Sequence, residues 1–260
     1  NARGAAFMLG SVFTFTLMDV LIKHLGGSYP VIQLLFFRTL LAMLPLSLII
    51  WQAGGLRILR TERLPVHLLR AAFGMTAMYC VFSAITLMPL ADATAIIFAA
   101  PLFLTALSVP LLGEAVGPRR WAAVTVGFVG ILVILDPGEG MLTTGAFFAL
   151  ASALFMALAM VVVRKLGATE HAACISFYFT CCGIVVSTIG VVASDSWVTP
   201  GLQDLGLLSM IGILGGLAQF IMTQGFRLAE AAVISPLKYT QMIWAALLAY
   251  VIWGETPDTR

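Results

Sequence analysis

Gly4-Ala5-Ala6-Phe7-Met8-Leu9-Gly10-Ser11 and Gly145-Ala146-Phe147-Phe148-Ala149-Leu150-Ala151-Ser152 are one phrase written twice, 141 residues apart. The register holds outward without a gap. Leu25-Gly26 meets Leu166-Gly167, Gly74 meets Gly215, and Gly113-Glu114 meets Gly254-Glu255. Self-similarity at one fixed offset marks a duplicated chain. Duplicated apolar chains are a common plan for membrane carriers, which place the substrate site between the two halves.

Composition says which solvent surrounds these halves. The chain is 61% hydrophobic and 10% charged, with a mean hydropathy of +1.04. A water-soluble domain carries roughly a quarter of its residues as charges. Lipid must therefore cover most of this chain. The net charge is only +2 and no basic run exceeds two residues, so nucleic-acid binding has no support. Cys80, Cys174, Cys181 and Cys182 sit in apolar stretches without ligand-like spacing and read as small packing residues.

A bilayer core takes about 20 apolar residues per helix. That rule predicts helices at 5–22, 31–51, 67–87, 91–112 and 121–135 in the first half, and at 141–163, 172–192, 205–226 and 231–253 in the second. Nine helices are present, and the partner of 121–135 would begin just past the last residue. The expected fold is an all-α membrane protein with a ten-helix inverted repeat, five plus five. Residues 1–135 form one repeat, and 141–260 form the second without its last helix, through truncation or disorder.

Orientation follows from the cationic residues. With the N-terminus cytoplasmic, the inner segments hold Arg3, Arg57, Arg60, Arg63, Arg119, Arg120, Arg164, Lys165 and Arg227, with Arg70 at a helix edge. The outer segments hold only Lys23 and Arg260, beside Asp136, Glu139, Asp195 and Asp204. Five helices per half make the second half enter from the opposite side, which inverts the repeat. The longest inner connection, 52–65, alternates leucines with arginines. It reads either as a short helix lying on the inner membrane surface or as a plain basic loop.

With these segments in place the chain resembles the EamA family of the drug/metabolite transporter superfamily. The resemblance rests on Phe36-Phe37-Arg38-Thr39-Leu40-Leu41-Ala42, on Pro101 through Leu111-Leu112-Gly113-Glu114, on Trp121 and Gly127, and on the repeated Gly254-Glu255. It implies a ten-helix carrier with both termini cytoplasmic. It further implies a central cavity lined by the first, third, fourth, sixth, eighth and ninth helices. Members move amino acids and other small metabolites, often outward, and an aromatic amino acid exporter is the nearest type suggested.

Ionisable groups inside a membrane helix cost several kcal/mol unless paired or wetted, so each needs a reason. Arg38 lies seven residues into its helix, roughly 10 Å deep at 1.5 Å per residue. Asp19 and Asp92 lie on the same outer side. An Arg38–Asp19 or Arg38–Asp92 pair is either an outer gate or a static packing pair, and Lys23 is a further partner for Asp19 one turn on. Lys238 is seven residues into the last helix with no acidic residue within a turn. Ser235, Lys238, Gln241 and Met242 share a face there, above the helix-breaking Pro236, and suit an anionic substrate group. A lysine snorkelling to the inner interface is the plain alternative.

Small polar and aromatic residues complete the candidate lining: Thr76, Tyr79, Ser83 and Thr86, then Phe98 and Thr105, then Gln219, Phe220 and Thr223. Such stripes serve equally as helix-packing contacts. Tyr79, Phe98 and Tyr239 could stack on a flat side chain. Pro101, Pro110, Pro236, Gly113 and Gly254 are candidate hinges. Gly113 and Gly254 close helices at positions that favour a left-handed residue, and Glu114 is expected to answer Arg119 or Arg120.

An intramembrane enzyme is the rival class. His24, His67 and His171 lie at helix edges outside any His-Glu-x-x-His pattern, and there is no Gly-x-Ser-x-Gly or nucleotide-binding loop. No catalytic residue, cofactor or metal is expected. The expectation is an alternating-access carrier in the inner membrane, a monomer or weak dimer, exporting amino acids including aromatic ones. Carriage of another small amphipathic metabolite or drug-like compound, and a channel or scaffold without carrier activity, are the alternatives.

Overall fold

Proline and apolar length decide where the helices lie. In the computed structural model, residues 2–112, 117–118, 121–122, 125–126, 143–167, 169–228 and 235–254 are described, and no strand occurs among them. The helices are α1 (Ala2–Leu25), α2 (Val31–Gln52), α3 (Leu64–Leu87), α4 (Leu90–Ile97), α5 (Ala100–Leu112), α6 (Thr144–Gly167), α7 (Ala172–Ser194), α8 (Leu202–Leu228) and α9 (Thr240–Trp253). Pro30 and Pro89 stand immediately before α2 and α4, and Pro65 sits in the first turn of α3. Those are positions where a missing N–H costs nothing and a fixed φ helps. Seven helical segments among the described residues are long and apolar enough to cross a bilayer, α4 and α5 counting as one over Leu90–Leu107. The chain is a multi-pass membrane protein.

The segment predicted as one helix over 91–112 is broken. α4 ends at Ile97 and α5 begins at Ala100, with Ala99 N–H bonded to the Ile96 carbonyl at 2.9 Å in a tightened turn. Pro101 has no N–H to offer the Ile97 carbonyl, so the helical ladder cannot run through. The sequence named Pro101 as a candidate hinge, but the length of the run suited one continuous span. The helix predicted over 231–253 is corrected similarly: Ser235–Tyr239 is a 3-10 segment carrying Pro236, and regular helix starts at Thr240. Most of the helix predicted over 121–135 lies outside the described residues.

The two breaks fall in one register. Phe98 and Tyr239 are repeat partners, and their rings meet with centroids 5.1 Å apart. A residue that touches its own repeat partner marks the pseudo-two-fold axis. Helix pairing obeys the same symmetry. The 141-residue shift carries the α1–α8 contact onto α3–α6, and α2–α8 onto α3–α7. The packing of α5 on α6 becomes that of α9 on α1, while α2–α7 maps onto itself. α1 and α8 run antiparallel, with Ser11 Oγ donating to the Ala218 carbonyl at 2.9 Å and the Tyr29 hydroxyl donating to Asp204 at 2.6 Å.

Close packing holds these pairs, since lipid supplies little hydrophobic drive between helices. An added Cβ at Gly212 of α8 would lie 2.6 Å from the Phe37 carbonyl oxygen, and one at Gly216 would lie 3.0 Å from Ala42 Cα. α8 therefore touches α2 backbone to backbone. The connection after α2 is a 3-10 segment, Gly55–Leu59, rather than a regular surface helix. Leu59 is buried and accepts the Tyr178 hydroxyl at 3.1 Å, so the segment docks on α7 while Leu56, Arg57 and Arg60 stay exposed. This end of the molecule is called the basic end below, and the opposite one the Tyr29 end.

Candidate functional site

α2 enters from the Tyr29 end and brings Arg38 inward, while α3 enters from the basic end and brings Arg70 toward it. Both side chains line one small cavity with Phe179 and Thr180 of α7 and Gln219 and Phe220 of α8. Arg38 is 6% exposed. Two glycines make room: an added Cβ at Gly215 would lie 3.2 Å from Arg38 Nε, and one at Gly74 would lie 2.5 Å from Arg70 Nη1. The Arg70 guanidinium lies 3.8 Å from the centre of the Phe179 ring. Phe179 is the repeat partner of Arg38, so the cavity also sits on the pseudo-two-fold.

Electrostatically this site is incomplete. Arg38 Nε, Arg70 Nε and Arg70 Nη1 are buried without a hydrogen-bond partner among the described residues. The two cations repel one another through space, and Arg38 is also attracted by Asp19. Buried donors of this kind are normally satisfied, by protein, water or ligand. The cavity volume is about 50 Å³. That holds a water or two and no metabolite, so the site is closed in this conformation.

Toward the Tyr29 end a second polar contact joins the halves. Gln241 Nε2 donates to Asp19 Oδ2 at 3.0 Å, tying α9 to α1. Asp19 thus takes an amide as its direct partner, where the sequence offered Arg38 or Lys23. Lys23 lies over the Trp253 ring at 5.0 Å. The Tyr29 end is further closed by the Tyr29–Asp204 bond and by the Gln33 side-chain amide, which accepts from Val198 N–H at 3.0 Å and donates to the Val198 carbonyl at 2.7 Å. The bond to Asp204, with burial second, holds the Tyr29 phenol above its ordinary pKa.

The remaining sequence candidates separate. Lys238 is half-buried in the 3-10 segment beside Tyr239, and no hydrogen bond or ion pair joins it to another described residue. Tyr79 packs edge-on against Phe148 at 6.2 Å on an exposed part of α3, away from the arginines, and Ser83 is buried. Asp92 is half-buried in the first turn of α4. Pro101 sits in the first turn of α5, where the helix is interrupted, and Pro110 is inside that helix. Gly254 ends α9 with φ +68, donating its N–H to the Ala249 and Tyr250 carbonyls. The side chains of Thr223, Ser235 and Pro236, and all of Gly113, Glu114, Arg119, Arg120 and Glu255, lie outside the described residues.

Sequence reasoning missed Arg70 as part of this site and read it only as a topological charge. Its position seven residues into α3, with Gly74 one turn on, was the available signal. It also passed over His67, Glu170 and Cys174, which gather at the basic end beyond Arg70.

A duplicated helical membrane protein with interrupted helices and, among the described residues, buried arginine donors without partners where its halves meet has the build of a transporter. The sequence profile of the EamA-like transporter family matches residues 2–136 and 143–260, and the chain belongs to that family. It is 32% identical over 247 residues to the pseudopaline exporter CntI of Pseudomonas aeruginosa, covering 95% of this chain and 86% of that protein. It is 30% identical to the S-adenosylmethionine uptake transporter of Rickettsia prowazekii (98% and 86% covered) and 25% identical to the riboflavin transporter of Rhizobium johnstonii (98% and 84%). A solved crystal structure at 20% identity superposes with a TM-score of 0.75, covering 99% of this chain and 91% of that one. The family and these relatives are transporters of small molecules, not enzymes.

Proposed function

We propose that this chain is an alternating-access carrier of small metabolites bearing a carboxylate, with amino acids, including aromatic ones, as the preferred class and export as the direction. The carrying observation is the pair Arg38 and Arg70, three of whose buried guanidinium nitrogens lack partners among the described residues, in a cavity shared by both halves. A carboxylate bound there would satisfy those donors and offset the repulsion between the guanidiniums. Phe179 and Phe220 flank the arginines and suit a flat or apolar side chain. S-adenosylmethionine, the named substrate of one group of relatives, is itself an α-amino acid.

In this reading residues 1–135 and 141–260 are the inverted halves, the N-terminus is cytoplasmic and the membrane is the inner one. The Asp19–Gln241 contact is a gate at the outer end, and the interruptions at Phe98–Ala99 and before Thr240 are the bending points. Lys238 lies beside the second interruption and meets the substrate as the cavity opens. Counterflow in proteoliposomes, with a panel of labelled amino acids and with or without a pH gradient, tests the reading. Saturable exchange of at least one amino acid is expected. Exchange of none of the panel, while riboflavin or another non-carboxylate exchanges, would refute the substrate class. Uptake is the second reading for direction, supported by the Rickettsia relatives. Right-side-out and inverted vesicles separate the two directions.

A further inference from the structure

The basic end holds a second buried polar cluster, in which the Cys174 thiol is hydrogen-bonded to Glu170. His67 stands in the first turn of α3, Glu170 in the connection between α6 and α7, and Cys174 in the first turn of α7. A ring nitrogen of His67, a carboxylate oxygen of Glu170 and the Cys174 sulfur all lie within 4.8 Å of one another, with His67 Nε2 4.0 Å from Glu170 Oε1. His67 is 1% exposed and Cys174 0%. Neither ring nitrogen of His67 has a hydrogen-bond partner among the described residues.

Several neighbours fix this geometry. The Tyr178 ring packs on the imidazole at 4.7 Å, and the Thr61 hydroxyl donates to Glu170 Oε1 at 2.7 Å. An imidazole sealed from water with both nitrogens lacking a hydrogen bond is a poor structural residue, because only the carboxylate 4.0 Å away offsets its desolvation. Set against a carboxylate and a thiol, it is half of a coordination sphere.

We propose that His67, Glu170 and Cys174 form a binding site for a divalent transition metal ion of the zinc class, with a fourth position left to water. One imidazole, one carboxylate and one thiolate form the mixed nitrogen, oxygen and sulfur set that such ions take, whereas magnesium and calcium favour oxygen alone. Metal–ligand bonds of about 2.0–2.3 Å require the three atoms to close by roughly an ångström. All three project from the starts of α3 and α7 or from the short connection between α6 and α7, so small side-chain rotations achieve this. Charge also balances: thiolate and carboxylate neutralise the ion, which leaves Arg70, one turn along α3, facing a neutral centre. The ligands come from both repeats, so a bound ion staples α3 to the start of α7. The site stands independently of what the carrier transports.

The test uses the whole chain in lipid nanodiscs, reduced and stripped of metal, titrated with Co²⁺ as the spectroscopic probe. A thiolate-to-cobalt charge-transfer band and the visible bands of a four-coordinate ion should saturate at a single equivalent and disappear on adding Zn²⁺. Cys174→Ser and His67→Gln should abolish the charge-transfer band, whereas Cys80→Ser, Cys181→Ser and Cys182→Ser should leave it. Glu170→Gln, which keeps the shape of the side chain, should weaken cobalt binding about tenfold or more and guards against a folding defect in the other variants. No band in the freshly reduced native chain, or a band that survives Cys174→Ser, overturns the proposal.

Discussion

The two halves have nearly the same scaffold and different chemistry. Where helices merely pack, repeat partners match: Ser11 with Ser152 and Leu25 with Leu166 are all buried. The charged and amide side chains of the cavity and its gate do not match. Arg38 has Phe179 as partner, Arg70 has Ile211, Gln219 has Met78, Asp19 has Met160, Gln241 has Ala100 and Lys238 has Ile97. Each of these charges has an apolar residue as its repeat partner. A duplicated fold supplies a two-fold frame, and a small substrate that lacks that symmetry is recognised by breaking it.

Restoring the symmetry should therefore destroy function without harming the fold. Arg70→Ile, which copies Ile211, and Arg38→Met are each expected to lower exchange by about 100-fold or more, since a buried charged hydrogen bond to a ligand is worth 2–5 kcal/mol. The same variants should melt no lower than the parent, because an unpaired buried cation costs stability. A parallel fall in melting temperature would make the arginines structural. Lys238→Ile, which copies Ile97, should lower exchange about tenfold, and unchanged exchange would remove Lys238 from the site.

The scaffold has its own asymmetry. Gly216 touches α2 by backbone, while its repeat partner in α3 is Met75, buried against Gly183. Gly216→Met should destabilise by about 1–3 kcal/mol or more through overpacking, measured by thermal unfolding in detergent. An unchanged melting temperature would mean that α2 and α8 are looser than they are drawn. Phe179→Leu removes the face under Arg70 and should weaken substrate affinity only about three- to fivefold, the scale of one cation–π contact.

The smallest effect belongs to Tyr29. Its phenol titrates above the usual value because it donates to Asp204. The raised pKa adds stability that is fully present below the unfolded value of about 10 and is lost as pH rises through the folded one. Tyr29→Phe should therefore lower stability slightly at neutral pH and flatten the alkaline limb of a stability–pH curve, so that variant and parent converge at high pH.

Much of the fold was legible because lipid permits few solutions: long apolar runs, a fixed repeat and a lopsided distribution of arginine leave one architecture. At 91–112 Pro101 was legible as a hinge but not as a full interruption, since the length of the run suits one span. Arg38, Gln219, Asp19 and Gln241 could be nominated as polar groups in apolar helices. Arg70 escaped because nearness to a helix end reads as topology, and only the turn of its side chain along Gly74 carries it inward. His67, Glu170 and Cys174 escaped because their spacing is spatial, with more than a hundred residues between the first and the other two.

The central claim is that Arg38 and Arg70 together hold a carboxylate. Competition in the proteoliposome exchange assay tests it most directly, with each transported amino acid set against its own carboxamide. The account predicts that the acid competes and the amide, identical in shape but uncharged at that group, competes at least about tenfold less well, with the difference vanishing in Arg38→Met and Arg70→Ile. Equal competition by acid and amide in the native protein would contradict it.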